Sequence, residues 1–274
     1  MTRPFRSAVF LLAALAATAS AQPDVEAPLG RVLAGVVGAD GRVDYARLAS
    51  EHRADLDAAL AAVAGQDPAA LRSDAQKTAF LVNAYNAHVL ARVLATPGAQ
   101  NLERQGLFDA FFQRPVRVAG RSMTLDQLEH GVLRRQRRVG GAAVPRALRA
   151  LRPGRVDYRI HAALNCAAVS CPPLQRRPFR AATLDRDLDA AFSAFAASPR
   201  AVRLDGRRLV LSSLFDWFAD DFEAGGRRVG DVIVGAGGGR SAAVRAALAT
   251  RSAEALRRDP AVTFEYDWTV NRRR

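Results

Sequence analysis

The stretch RIHAALNCAAVSCPP, residues 159–173, holds both cysteines of the chain and one of its four histidines. Taken from Tyr158, it alternates. Tyr158, Ile160, Ala162 and Leu164 share one face, and Arg159, His161 and Ala163 share the other. That period of two predicts a β-strand over residues 158–164, and with Asn165 its second face becomes a polar row of Arg159, His161 and Asn165.

Working outward, residues 54–64 and 75–94 carry alanine and leucine at helical spacing with few breakers, which predicts two helices. Two short alternating runs around Ala119-Gly120 predict a hairpin over 116–123. Thr124 followed by Gln127 is a capping box, so a helix is expected to start there. Thr183 is expected to cap a helix running to about residue 197, residues 202–211 to fold back at Asp205-Gly206, and residues 214–222 to form one aromatic-rich helix. The cluster Gly235 to Gly239 lacks the order of a dinucleotide-binding loop and is read as a plain loop. The fold class expected is α+β: one helix-rich domain over residues 22–274 with a small antiparallel sheet.

Arg3 and Arg6 precede an apolar run over residues 8–17 and the small-residue step Ala19-Ser20-Ala21. Together they predict a signal peptide at residues 1–21, with Gln22 as the first mature residue and a periplasmic or secreted destination. The apolar run is too short for a membrane span, and no later segment is long and uncharged enough to be one. The formal charge of +13 is carried almost wholly by arginine, with Lys77 the only lysine. Its one dense run, Arg134-Arg135-Gln136-Arg137-Arg138, has no neighbouring aromatics for base stacking, which argues against a nucleic-acid partner. Contact with anionic envelope surfaces is compatible with the charge.

Several polar residues fall where helical periodicity places the core. Asn83 and Asn86 lie with Val82, Leu90 and Val93, and each amide there either finds partners or costs about 1–3 kcal/mol. His88 projects with Lys77, Leu81 and Arg92, the more polar side, and is expected in solvent. Glu129 lies within the arc of Leu125, Leu128 and Val132, with His130 at its edge; a carboxylate so placed is a site candidate or half of a structural ion pair. Asp221 falls between Leu214, Trp217 and Phe218 and is read as a buried acceptor for a backbone or arginine donor.

These blocks resemble the domain of unknown function 547 family. The matching pieces are KTAFLVNAYNA (77–87), LDQLEHGVLR (125–134), RIHAALNCAAVSCPPL (159–174), WFADDF (217–222) and YDWTVN (266–271). The resemblance implies that Asn83, Asn86, Glu129, His161, Asn165, Cys166 and Cys171 occupy the family's motif positions. It brings no activity with it.

Two functional readings stand. In one, Cys166 is the nucleophile of a hydrolase or acyltransferase acting on an envelope amide or ester, His161 or His130 its base, and Glu129 or an amide its orienting group, with Asn83, Asn86, Arg159 and Asn165 lining a binding site. In the other, the protein is a non-catalytic envelope protein that binds a small ligand or is purely structural. There Cys166 and Cys171 form a disulfide, favoured by an exported compartment and an even cysteine count and adding about 2 kcal/mol. His161, Cys166 and Cys171 are a third possibility as zinc ligands, but their spacing fits no standard zinc module, and no cofactor or metal is expected.

Overall fold

Helix α1 (Glu26–Val36) turns Leu29, Val32, Leu33 and Val36 inward, a stripe at helical spacing, and packs on α3 (Arg53–Gly65). Between them in sequence is α2 (Tyr45–Glu51), capped by Asp44, whose side chain accepts from the Arg47 N–H. The structure, a computed structural model, describes residues 24–104, 106–239 and 241–273; the expected signal peptide at 1–21 lies outside the described residues.

Helix α4 (Asp74–Leu94) organises the core. Ser73 and Gln76 close a capping box at its start, and every residue from Thr78 to Leu90 is buried. A helix buried all round is a central one, and α1, α2 and α3 pack against it. After α5 (Leu107–Phe112) comes the expected hairpin, β1 (Val116–Val118) with β2 (Arg121–Met123). Its tip residues Ala119 and Gly120 have φ of +49° and +71°, the left-handed pair of a tight hairpin turn. Their N–H groups donate to the carbonyls of Val63 and Ala64 at the end of α3.

That hairpin overturns the solvated reading of His88. The arc that looked polar is covered by β1, and His88 is buried, its Nε2–H donating to the Arg117 carbonyl at 3.1 Å. Burial pushes its pKa down to about 4.

Thr124 and Gln127 form the expected capping box, but the following helix does not wind as an α-helix. Residues Gln127–Leu133 form a π-helix, closed by the Arg134 N–H donating to the Glu129 carbonyl five residues back. A two-residue pair follows, β3 (Arg138–Val139) with β4 (Ala142–Ala143), then α6 (Arg146–Arg149).

The strand expected over 158–164 is not a strand. Tyr158–Ala162 is a turn of 3-10 helix, because Asp157 caps it: its carboxylate accepts from the Arg159 N–H at 3.0 Å. With three residues per turn, Arg159 and His161 point to different sides, and the polar row dissolves. Against this turn packs α7 (Leu184–Ala196). Thr183 precedes α7 without capping it; its hydroxyl donates instead to Asp187 Oδ2 at 2.6 Å.

The largest sheet has β6 (Arg208–Ser212) at its centre, antiparallel to β5 (Val202–Asp205) and parallel to β7 (Val262–Glu265). The β5–β6 turn is Gly206-Arg207, one residue later than expected, since Asp205 still pairs with Arg208; Gly206 supplies the positive φ of +59°. Residues 214–222 break at Phe218 into α8 (Leu214–Trp217) and α9 (Ala219–Glu223). Helices α10 (Val229–Gly235), α11 (Ala242–Leu248) and α12 (Ala253–Arg257) complete the fold. Buried apolar side chains from α1 through Val270 form one cluster, so the α+β class expected from the sequence is the class observed. Among the described residues no helix is long and apolar enough to cross a membrane.

Candidate active site

Beside α4 lies a cleft of about 330 Å³, within the range of small-molecule sites. Its floor includes Tyr85 of α4, its acidic and basic groups come from the π-helix and the 158–162 turn, and its far wall is aromatic. Three candidates from the sequence, Glu129, His161 and Cys166, all line it.

His161 is the most constrained of them. Its side chain is 2% exposed, and its Nε2 hydrogen-bonds to Asp221 Oδ2 on α9 at 2.8 Å. The ring stacks on Phe218, centroids 3.9 Å apart and planes 13° from parallel. Asp221 thus receives the Nε2–H, and the Nδ1 lone pair, which has no partner among the described residues, is left for the cleft. Burial lowers the imidazole pKa, and this outweighs the opposing hydrogen bond and charge of Asp221, so the ring is neutral near pH 7.

Asp221 is in turn fixed by Arg134 Nε at 2.5 Å, the arginine reading foreseen for it, and Arg134 is only 7% exposed. Burial raises the Asp221 carboxyl, but the hydrogen bonds from His161 and Arg134 prevail and hold it below the usual range. The same guanidinium contacts His130 Nδ1 at 3.0 Å and lies over the Phe218 ring, 4.6 Å from its centroid. Arg134 therefore positions both histidines of the cleft.

The π-helix explains Glu129. Wider winding carries it off the apolar arc of Leu128 and Val132, and it sits half-buried at the cleft, facing Tyr85. Burial first, then the charge and hydrogen bond of Glu129, raise the Tyr85 phenol. Cys166 and Cys171 stand with sulfurs 2.16 Å apart, a disulfide distance, and Cα atoms 6.2 Å apart. The Tyr266 hydroxyl lies 2.9 Å from Cys166 Sγ and 3.2 Å from Cys171 Sγ.

His130, the alternative base, also lines the cleft, but the binding candidates do not. Asn83 forms two hydrogen bonds with the backbone of Phe179, at 2.8 and 2.9 Å. Asn86 does the same with the Ala163 carbonyl and the Asn165 N–H. Asn165 accepts from Ala167 N–H and from Asn271 and donates to the Pro172 carbonyl, while Asn271 accepts from Tyr45. These amides pin the cysteine loop from behind. Arg159 turns away to Asp157, Asp185 and Asp189. Periodicity missed Asp126, Tyr266 and Trp268 of the cleft, although Tyr266 and Trp268 sit in the block YDWTVN; nothing in their spacing marks a site. Among the described residues no group of three or more His, Cys, Asp and Glu is arranged to hold a metal ion.

An α+β domain with a buried histidine–aspartate pair opening on an aromatic-walled cleft is the class of protein that fold and site define. Residues 69–196 match the family described as "Protein of unknown function, DUF547". The match contains Glu129, His161 and Cys166, while Asp221, Trp217, Tyr266 and Trp268 lie beyond it. No curated protein and no solved structure matches the chain.

Proposed function

We propose that this protein is an exported hydrolase or acyl-transfer enzyme acting on an amide or ester, with His161 as general base. The observation that supports it is the convergence of Asp221-held His161, Glu129 and Cys166 on one cleft. His161 Nδ1 takes a proton from a water, the oxygen attacks the carbonyl carbon, and the imidazolium returns the proton to the leaving nitrogen or oxygen as its bond to carbon breaks. Asp221 stabilises the imidazolium meanwhile. Bridged to Cys171, Cys166 is no nucleophile and serves as wall; as a free thiol beside His161 it would take the place of water.

The test is hydrolysis of an ester and anilide panel by the purified mature chain. His161→Ala, with folding confirmed by circular dichroism, is expected to lose about 10²–10⁴-fold in rate. Wild-type turnover no faster than buffer across the panel, or an unchanged rate in His161→Ala, would reject the enzyme. The second reading, a ligand-binding envelope protein pinned by a disulfide, is favoured by the sulfur separation and would then stand. Export itself is tested by N-terminal sequencing of protein from the native envelope, where Gln22 is expected first.

A further inference from the structure

The charges of the cleft do not balance. Asp126 and Glu129 both line it, and among the described residues neither is in a salt bridge. The one arginine of the lining, Arg134, is committed to Asp221. Asp126 accepts from Gln113; burial, helped by the neighbouring Glu129 carboxylate and opposed by the charge of His130 and by that hydrogen bond, raises its pKa. In a chain with 40 Lys and Arg against 27 Asp and Glu, two carboxylates without an ion-pair partner run against the composition.

The acceptors of the cleft carry its negative charge. The Nε2–H of His161 and the Gln113 amide are directed at protein carboxylates, and the Asp126 and Glu129 carboxylates and His161 Nδ1 are acceptors at the cleft, beside the donors His130 Nε2–H and the Trp217 and Trp268 indole N–H groups. Around them stands an aromatic wall: Trp217 and Trp268 stack with centroids 5.9 Å apart, and Tyr266 lies 4.8 and 4.7 Å from them. Phe108 meets Trp268 edge-on at 5.1 Å. Trp217 is 46% and Phe108 38% exposed, two of the three large apolar side chains left exposed among the described residues. Aromatic faces beside carboxylates favour a donor-rich cation, which the ring quadrupoles and the charges both attract.

We infer that the cleft recognises its substrate through a primary ammonium group, seated between the Trp217–Tyr266–Trp268 wall and the Asp126 and Glu129 carboxylates. The inference rests on the reading of this cleft as the working site and names its substrate class: an amino-substituted amide or ester. A neutral sugar would use the same wall, but it leaves two carboxylates outside any salt bridge without a charge to meet them.

Trp217 and Trp268 are the only tryptophans of the chain, so intrinsic fluorescence reports on this wall alone. Titrating the mature protein at constant ionic strength with butylammonium chloride should change the emission saturably, about tenfold more tightly than butan-1-ol. In Asp126→Asn that preference should fall below about threefold. Should that variant not fold, Trp217→Leu, at an exposed position, should weaken butylammonium at least about fivefold by calorimetry. Equal binding of butan-1-ol, a saturable response to methyl glucoside but not to butylammonium, or no saturable response to any probe would overturn the inference. Turnover of uncharged esters that depends on His161, without ammonium preference, removes this inference and leaves the enzyme; ammonium binding without turnover removes the enzyme and leaves this inference.

Discussion

At His161 two influences oppose each other, and their order sets the pH behaviour of the site. Burial disfavours the imidazolium while Asp221 favours it, and burial prevails. The base form is therefore kept to lower pH than in a free histidine, and the acid limb of kcat/KM is expected below about pH 6.5. Removing Asp221 removes the group that favours the charged ring. Asp221→Asn is thus expected to move the acid limb further down while lowering the plateau rate. A limb that rises in Asp221→Asn would show that the carboxylate does not act on His161 as drawn.

Helix α4 and its hairpin cover supply a stability prediction of definite sign. His88 has a folded pKa of about 4 against about 6.5 in the unfolded chain, so the unfolded state binds the proton first. Its contribution is fully present above pH 6.5 and is lost as pH falls toward 4, at a slope approaching about 1.4 kcal/mol per pH unit. His88→Gln, which keeps a donor for the Arg117 carbonyl, should flatten urea-unfolding free energy over that interval. At α10, a Cβ on Gly230 would lie 1.7 Å from the Leu248 carbonyl oxygen, a backbone atom with little freedom to move. Gly230→Ala should therefore cost about 3 kcal/mol or more, read as a lowered urea midpoint. The elements that were legible in sequence are those whose signal is local: the α3 and α4 spacing, the Thr124–Gln127 box and the two hairpins. The 158–162 turn was not, because the alternation over residues 158–164 satisfies a strand pattern as well as a capped 3-10 turn, and only Asp157 upstream distinguishes them. The outward swing of Glu129 was not legible either, since placement at 100° per residue assumes α winding and Gln127–Leu133 winds more widely.

For the molecule as a whole, the site was half legible. Glu129 stood out as a carboxylate in an apolar arc, His161 as part of a polar row and Cys166 as one of two cysteines, and all three line one cleft. Asn83 and Asn86 stood out as inward-pointing amides and Asn165 in the polar row, but backbone groups and Asn271 satisfy them, because periodicity reports where an amide points and not what receives it. The aromatic wall assembles from segments 160 residues apart, Phe108 to Trp268, a juxtaposition no local pattern encodes. The cysteine pair closes only a short loop, so replacing both cysteines by serine should lower stability by about 2 kcal/mol with the steepness of the urea transition unchanged. Alkylation of unfolded, unreduced protein should leave both cysteines unlabelled.

Burial of α4 on every side has a consequence for motion. One helix carries the Tyr85 floor of the cleft and both amide locks, and its central N–H groups reach solvent only when the packing around it separates. Amide deuterium uptake from residue 82 to 90 should then follow whole-chain opening, and should be the slowest in the protein. A molecule seated against Tyr85 should slow it further by its binding free energy, so that deuterium uptake deep in the interior serves as a gauge of occupancy at the surface.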